Sequence, residues 1–329
     1  MENEDDLLNE ILAAPRPPYE TANRQLTAPA AAESQPYVSN NGVEFRQWVV
    51  GPNETFIPTG PTRKDLKPGV YEFDYSSDRG IFARKIDVVT DQLIPLPDTA
   101  NERVLKGMTV FWANQAKYTI HGLLYKRGVL LYGPPGSGKT ATLQLLSQQL
   151  LAMGGAVIIC RAPEYTMLGL AALRRIEPKR PLICIFEDID EITQRFGEHQ
   201  ILALLDGENQ VSNIVNIATT NYPERLGARI VNRPSRFDER IFVGMPSAAA
   251  RQIYLEKIIA KTGESAFQNF NLHQWVTDTE GLSIAHLREL SAAVLCLDQP
   301  YEAVIKRLRT MRHKITENAG QAASVGFGN

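Results

Sequence analysis

The residues with the clearest chemical meaning form a glycine-rich stretch from Gly133 to Thr140, with the sequence Gly-Pro-Pro-Gly-Ser-Gly-Lys-Thr. This stretch satisfies the pattern G-x-x-x-x-G-K-[ST], in which backbone N–H groups of the loop surround phosphate groups. In that pattern Lys139 reaches the β- and γ-phosphates of a nucleoside triphosphate, and the hydroxyl of Thr140 ligates Mg²⁺. We therefore predict that this loop binds the phosphates of a nucleotide.

The predicted nucleotide contacts cover the whole loop and one position of the segment after it. They are Gly133, Pro134, Pro135, Gly136, Ser137, Gly138, Lys139, Thr140 and Ala141. The flanking sequence has the elements that such a loop requires. Residues 129–132 are apolar and predict a short strand, and the leucine spacing in 141–153 predicts a helix. The positive end of that helix would favour bound phosphate.

Two carboxylates follow a second apolar run. Residues 182–186 have the composition of a buried strand, and Glu187 and Asp188 come directly after it. Ligands of open α/β sheets bind beyond the carboxyl ends of the strands, so we expect both acids near the loop. Hydrolysis of a nucleotide requires one carboxylate that holds Mg²⁺ or its water and another that polarises the attacking water. Because adjacent side chains point to different sides of a strand, the two acids are expected to take different roles.

The order of elements indicates an α/β fold. Residues 98–246 begin with helical periodicity and continue with a strand, the glycine-rich loop, a helix and three more strands, which is typical of a parallel sheet with flanking helices. Residues 247–315 are mostly helical in pattern and predict a small helical domain. Residues 43–97 contain short alternating stretches separated by turns, which predict a small, mainly β module before the sheet.

The two ends of the chain differ from its middle in composition. Residues 1–42 start with an acidic segment and continue with the composition of a disordered linker. Within them, residues 5–13 could form a short amphipathic helix that serves either as a solubilising tail or as a docking motif for a partner. Residues 316–329 are rich in Gly, Ala, Ser and Asn and predict a flexible tail.

The composition argues against several classes of protein. Of the 329 residues, 43% are apolar and 22% charged, as in globular proteins, and the formal net charge of -2 does not favour a globally basic nucleic-acid binder. No apolar run reaches the ~18 residues needed to cross a membrane. The three cysteines form neither a disulfide framework nor a zinc spacing, and the acidic start is unlike a secretory signal. We expect a soluble, cytoplasmic protein with no membrane partner.

Between residues 100 and 315 the motifs together resemble the AAA family of ATPases. The family's usual strand ending, Asp-Glu-x-Asp, stands here as Glu-Asp-Ile-Asp at 187–190, with the first two acids exchanged. The same exchange occurs in the Bcs-type branch, that of the mitochondrial Rieske-protein translocase, and the segment 111–128 also resembles that branch. The membrane helix of that branch is not expected in this sequence. The resemblance implies a P-loop NTPase core with a five-stranded parallel sheet and flanking helices, followed by a small helical lid.

The same resemblance implies ATP and Mg²⁺ as cofactors and gives each polar group a role. Thr140 and Glu187 would lie on the Mg²⁺ side, Asp188 would activate the attacking water, and Asn221 would orient that water. Because the acids are exchanged and their side chains differ in reach by one methylene, the opposite assignment of Glu187 and Asp188 stays open. Lys139 completes the predicted catalytic set.

Two arginines are implied to act between subunits. The segment 232–238 is similar to the family's Arg-Pro-Gly-Arg-Phe-Asp segment, in which both arginines reach the nucleotide of a neighbouring subunit. Arg233 and Arg236 would then require a homo-oligomer, a hexamer or a similar ring. Local ion pairs with Asp238 or Glu239 are the alternative.

The resemblance also suggests contacts with the base and with a substrate. His121 and Gly122 would border the adenine. Tyr165, Met167 and Leu168 stand where the family has a loop that grips a polypeptide, although the usual aromatic residue is missing from its usual place. Simple packing of these side chains against the sheet is the alternative.

These features favour an ATP-hydrolysing motor that remodels or translocates a protein, with the N-terminal module or residues 5–13 selecting it. The alternative is a nucleic-acid motor or loader, supported by basic clusters at 174–175, 179–180 and 306–314. No aromatic platform is interleaved with those charges, so this reading is less favoured. A scaffold that binds ATP with little turnover is a third reading, against which the complete catalytic set argues.

Overall fold

A computed structural model describes residues 47–50, 56–77, 79–88, 93–96, 100–206, 211–233, 235–262 and 271–311. The chain divides into two compact units, residues 1–63 and 64–329. The predictions for residues 1–42 and 316–329 lie outside the described residues and stay predictions.

In the first unit the described residues contain one antiparallel pair of strands, β1 (Gln47–Val50) and β2 (Phe56–Thr59). Gln47 is paired with Thr59 in the register. The side-chain oxygen of Gln47 also accepts hydrogen bonds from the backbone N–H of Thr62, at 3.2 Å, and from its hydroxyl, at 2.5 Å. These bonds hold the chain that leaves β2 against the start of β1.

The second unit contains a seven-stranded sheet. Its strands are β3 (Gly69–Ser76), β4 (Gly80–Ile86), β5 (Lys126–Tyr132), β6 (Ala156–Ile159), β7 (Leu182–Phe186), β8 (Ile214–Thr220) and β9 (Glu239–Phe242). Their order is β4-β3-β6-β7-β8-β5-β9, and every neighbouring pair is parallel except β3 and β4. The predicted α/β fold with a parallel sheet is confirmed.

One edge of the sheet differs from the expectation. The parallel strands β6, β7, β8, β5 and β9 match the predicted five, but β3 adds a parallel strand beside β6 and β4 adds an antiparallel one beside β3. The strands expected in a separate module at 43–97 are therefore divided, with β1 and β2 in the first unit and β3 and β4 in the sheet. Alternation of apolar residues marks a strand but does not name its partner, which is why the pattern could not show this.

Helices accompany the sheet strands and follow them toward the C-terminus. They are α1 (Ala100–Ala113), α2 (Gln115–Ile120), α3 (Lys139–Ala152), α4 (Pro163–Ile176), α5 (Ile189–Phe196), α6 (Glu198–Asp206), α7 (Ala228–Val231), α8 (Ala248–Ile259), α9 (Leu272–Asp278), α10 (Ile284–Leu295) and α11 (301–311). In the part of the chain that the structure describes, none is long and apolar enough to cross a membrane.

Three apolar clusters hold the second unit together. One joins the sheet to α4–α6 through residues such as Leu170 and Ile201. A second joins it to α1 and α3 through residues such as Met108 and Leu146. The third lies in the lid formed by α8–α11, and it also takes in Leu96 from the segment that precedes α1. This segment therefore belongs with the lid in packing, although the sequence pattern assigned it to the β module.

Candidate functional site

A cavity of about 830 Å³ lies beyond the carboxyl ends of the sheet strands. Its wall is built from residues that follow β5, β7, β8 and β9, from the segment around the start of α1, and from the lid. The lining residues are Leu93, Ile94, Leu96, Ala100, Asn101, Pro135, Gly136, Ser137, Gly138, Lys139, Thr140, Ala141, Gln144, Glu187, Asp188, Thr219, Asn221, Phe242, Val243, Gly244, Met245, Pro246, Tyr254, Ile284, Ala285 and Arg288. The phosphate loop and both acids thus share one cavity.

The phosphate loop depends on its glycines. Gly136 has a φ of 72° and Gly138 a φ of 104°, in the left-handed region that favours glycine. A Cβ on Gly136 would also lie 2.7 Å from the Oγ of Ser283, so the lid approaches the loop at this point. Helix α3 begins directly after Gly138, and its first N–H groups and positive end favour a bound anion.

Lys139 is buried in this loop, with 7% of the residue exposed. Its Nζ donates hydrogen bonds to the carbonyl oxygens of Gly133 at 2.7 Å and Pro134 at 2.9 Å, and to Oδ1 of Asn221 at 2.6 Å. Burial lowers the pKa of Lys139, and the negative charge of Asp188 partly opposes this shift. The ammonium group is therefore oriented by oxygen acceptors on the loop and on the end of β8.

The polar groups around the loop fit phosphate and Mg²⁺. The buried Oγ of Ser137 has no hydrogen-bond partner among the described residues, which suits an acceptor oxygen such as that of phosphate. Thr140 is exposed and lines the cavity together with Glu187, and both offer the oxygen ligands that Mg²⁺ prefers. The described residues contain no group of three or more His, Cys, Asp or Glu that could hold a metal ion, so phosphate and water oxygens would supply the remaining ligands.

The two adjacent acids have different surroundings. The backbone N–H of Asp188 donates to Oγ1 of Thr219 at 3.1 Å, and its Oδ1 accepts from Nδ2 of Asn221 at 3.3 Å. Burial raises the pKa of Glu187, the charge of Arg161 opposes this, and the charge of Asp188 adds to it. Asp188 thus faces the Lys139 side of the cavity through Asn221, and Glu187 lies nearer to Arg161. The third acid, Asp190, is buried and accepts from the hydroxyl of Thr220 at 2.6 Å, so it anchors β8.

The two arginines predicted to act between subunits differ in exposure. Arg236 is buried, with 5% of the residue exposed, and it bonds to the carboxylate of Asp206 and the carbonyl oxygen of Arg229. The acidic partner of Arg236 within the chain is therefore Asp206. The expected partner Asp238 instead accepts a hydrogen bond from the backbone N–H of Gly128. The side chain of Arg233 is 66% exposed, with Nη1 3.6 Å from Asp206. In this conformation only Arg233 of the two is presented to solvent.

The two residues expected to border the adenine lie outside the lining of this cavity, and their role stays a prediction. His121 and Gly122 are exposed at the end of α2, and neither is among the described residues that line the cavity. The larger apolar side chains that line the cavity come from four separate segments. They are Leu93, Ile94, Leu96, Phe242, Val243, Met245, Tyr254 and Ile284. No motif marks these positions, because their shared feature is only that the fold brings apolar side chains from distant segments together.

The segment expected to be a flexible gripping loop is helical, so the prediction of a loop is wrong. Tyr165 and Met167 lie in the first turns of α4, and Leu168 in the same helix is 45% exposed. The ring of Tyr165 stacks on Tyr75 of β3, with ring centroids 6.0 Å apart. The added strand β3 thus contacts this helix, and an exposed apolar and aromatic surface that includes Tyr75 and Leu168 remains beside it.

Comparisons with known proteins agree with this site. Residues 129–245 match the model of the family described as "ATPase family associated with various cellular activities (AAA)". The matched residues include the phosphate loop, both acids, Asn221 and both arginines. Residues 129–245 of this chain are therefore similar to an AAA ATPase domain. The Bcs-type resemblance is not confirmed by these matches.

Curated relatives share the domain but are longer. The chain is 33% identical over 207 residues to the ATPase family gene 2 protein of Saccharomyces cerevisiae, covering 57% of this chain and 25% of that protein. It is 27% identical over 262 residues to the ATP-dependent zinc metalloprotease FtsH 2 of a Thermoanaerobacter species, covering 74% of this chain and 49% of that protein. The chain thus spans a quarter to a half of the length of these relatives.

The geometry predicts separate effects for the two acids. Asp188→Asn is expected to lower the ATP hydrolysis rate by about 100-fold or more, because a group that polarises the attacking water contributes roughly 10² to 10⁴. ATP affinity should stay within a few-fold, since Lys139 and the loop are unchanged. The measurement is steady-state phosphate release beside ATP binding. Glu191→Gln, an exposed acid in the following turn, is the control. Normal hydrolysis by Asp188→Asn with an inactive Glu187→Gln would reverse the assignment.

Proposed function

We propose that this chain hydrolyses ATP to ADP and phosphate in the cavity around Lys139, and that hydrolysis drives the remodelling or translocation of a protein. The observation that carries the proposal is a chain of two hydrogen bonds beside the phosphate loop. It runs from the ammonium group of Lys139 through the side-chain amide of Asn221 to the carboxylate of Asp188. The amide of Asn221 thus links Lys139, the cation that would bind the phosphates, to Asp188, the acid that would polarise the attacking water. The AAA domain and the ATPases named among its relatives support the same reaction.

Each side chain has a part in this reaction. Lys139 donates to phosphate oxygens in place of the loop carbonyls, and the N–H groups of α3 bind the same phosphates. Thr140 and Glu187 would hold Mg²⁺, which would neutralise charge on the phosphates when it is bound. Asp188 accepts a hydrogen bond from the attacking water, and Asn221 holds that carboxylate in place.

We also propose a homo-oligomer, a hexamer or a similar ring, in which Arg233 acts on a neighbouring nucleotide. Its exposure supports this, as does its position outside the lining of its own cavity. Arg236 has a supporting part, because its bonds to Asp206 and to the Arg229 carbonyl hold the loop that carries Arg233. A guanidinium supplied by a neighbour stabilises charge on the transferred phosphoryl group.

The substrate we propose is a protein, because four of the basic side chains that favoured nucleic acid bind other groups of the chain. Arg174 donates to backbone carbonyls, including that of Arg180 at 2.8 Å, and Arg180 pairs with Glu177. In α11, Arg307 pairs with Glu289 at 2.8 Å and Arg309 with Asp278 at 2.8 Å. The surface around Tyr165 and Leu168 offers aromatic and apolar contacts that suit a polypeptide instead.

Three finer predictions belong to the proposal. The N-terminal region, including residues 5–13, would select the target protein. The chain would work in the cytoplasm. Its likeness to the Bcs-type branch rests on the exchanged acids at 187–188 and on the segment 111–128, and a branch that moves folded cargo would be consistent with a weak grip on the polypeptide.

Mixed subunits test the shared site. Arg233→Ala alone should lower ATP hydrolysis by roughly 10³-fold or more, the range measured when such an arginine is missing. Mixing Arg233→Ala with Lys139→Ala subunits should restore part of the activity, because some sites then combine an intact Lys139 with a neighbour's intact Arg233. Arg229→Ala, an exposed arginine in α7, is the matched control. Full activity of Arg233→Ala alone, with no gain in any mixture, would contradict the shared site.

Stimulation of hydrolysis tests the substrate class. An unfolded protein such as reduced casein should raise the ATPase rate, and Tyr165→Ala should weaken this effect while the basal rate stays unchanged. Tyr222→Ala, at an exposed tyrosine away from α4, is the control. Stimulation by single-stranded oligonucleotides that disappears as salt rises would favour the nucleic-acid alternative instead.

A further inference from the structure

Three charged side chains lie side by side on neighbouring strands next to the cavity. Glu72 is in β3, Arg161 follows β6 by two residues, and Glu187 comes directly after β7. These three strands are neighbours in the sheet, with β6 in the middle. Glu187 lines the cavity, whereas Glu72 and Arg161 are not among the described residues that line it. The arginine therefore lies between an acid of the site and an acid of the added strand β3.

The register of the sheet explains why Arg161 and Glu187 meet. Ile159 of β6 is paired with Ile185 of β7, and the backbone N–H of Cys160 donates to the carbonyl oxygen of Ile185 at 2.8 Å. Arg161 and Glu187 follow this pair by two residues each, so they lie opposite one another. Because side chains alternate between the two faces of a sheet, both extend from the face that packs against α1 and α3.

The arginine has a carboxylate on each side. Its Nε lies 3.8 Å from Oε2 of Glu72, and its side chain is 61% exposed. Burial raises the pKa of Glu187, and the charge of Arg161 opposes this rise, so the guanidinium also attracts this second carboxylate. One cation is thus shared by two acids, and a guanidinium that moves toward one of them moves away from the other.

Glu72 is held in place by the added strands. Nε of Arg84 in β4 lies 3.1 Å from Oε1 of Glu72, and Nη2 of the same arginine lies 2.6 Å from Oδ2 of Asp74. Strand β4 pairs with β3 along its length. The two strands that extend the predicted five-stranded sheet therefore position the acid that competes with Glu187 for the arginine.

The neighbouring arginine affects what Glu187 can bind. In the proposed function this carboxylate would hold Mg²⁺ together with Thr140. A cation beside the carboxylate opposes the binding of a metal ion, because it attracts the same oxygens and repels a second positive charge. An acid that attracts the arginine from the other side reduces both effects.

We propose that Arg161 competes with Mg²⁺ for Glu187, and that Glu72 weakens this competition by holding the guanidinium on the β3 side. Arg161 and Glu72 are then positioning residues that set the Mg²⁺ affinity of the site. This inference rests on the proposed function, because it presumes that Glu187 binds Mg²⁺ beside ATP.

The test measures how strongly Mg²⁺ supports nucleotide binding. The dissociation constant of a non-hydrolysable ATP analogue is determined by displacement of a fluorescent nucleotide, in EDTA and in saturating Mg²⁺. The EDTA value divided by the Mg²⁺ value is the Mg²⁺ factor. Arg161→Ala should raise this factor about threefold to tenfold, the effect of removing one partly solvated charge near a divalent ion. Arg161→Lys should leave it near that of the unchanged protein, because the charge is retained.

Glu72→Gln should change the Mg²⁺ factor in the opposite direction. Without the second carboxylate the guanidinium stays on Glu187, so the factor should fall about twofold or more. A double variant with Arg161→Ala and Glu72→Gln should have a factor close to that of Arg161→Ala alone, because Glu72 acts through the arginine. The ion pair of Arg84 with Asp74 remains in both variants and keeps the added strands paired.

The controls separate this competition from effects on folding. Arg175→Ala, at an exposed arginine near the end of α4 and outside the cavity lining, should leave the Mg²⁺ factor unchanged. Thermal melting of each variant reports whether the fold is retained. Because the side chain of Arg161 is mostly exposed, its replacements leave no hole in a packed core.

Three results would overturn the inference. One is an unchanged or lowered Mg²⁺ factor in Arg161→Ala, and another is an unchanged or raised factor in Glu72→Gln. The third is an Arg161→Lys variant that behaves like Arg161→Ala, which indicates that the shape of the side chain matters and its charge does not. If the unchanged protein binds the ATP analogue in neither buffer, the proposed function fails as well. If it binds the analogue, these three results reject only the competition.

Discussion

The buried ammonium group of Lys139 constrains much of this fold, because a buried charge is costly unless it is paired or hydrogen-bonded. Two of its acceptors are loop carbonyls directly before it, and the third is Asn221 at the end of another strand. Asn221 in turn bonds to Asp188 at the end of a third strand. The loop, the sensor amide and the acid are therefore not independent features, since a displacement of one changes the hydrogen bonding of the next.

The sheet order makes this arrangement possible. Strand β8 lies between β5 and β7 in the sheet. The segments that follow these three strands therefore bring Lys139, Asn221 and Asp188 side by side. The lid reaches the same place from above the loop, where Ser283 approaches Gly136 too closely for any side chain at that position. The lid thus lies directly against the phosphate loop, so a shift of the lid would change the packing around that loop.

Local features of the site could be predicted from the sequence, and long-range ones could not. The phosphate loop and the acids at 187–188 are short segments whose residue types carry their chemistry, and the structure brings them together in one cavity. Three other features depend on partners far away in sequence: the addition of β3 and β4 to the sheet, the burial of Arg236 against Asp206, and the apolar part of the cavity lining. Helix α4 was missed because the expectation of a loop came from the family pattern rather than from the helical spacing of its own residues.

The central claim is that Lys139 holds the phosphates of ATP during hydrolysis. Its most direct test is the rate of phosphate release from ATP by the purified chain beside that of Lys139→Ala, with Lys179→Ala as a control at an exposed lysine. The account predicts that Lys139→Ala lowers the rate by orders of magnitude and that Lys179→Ala does not. Equal rates for the unchanged protein and Lys139→Ala, in variants with the same melting temperature, would contradict it.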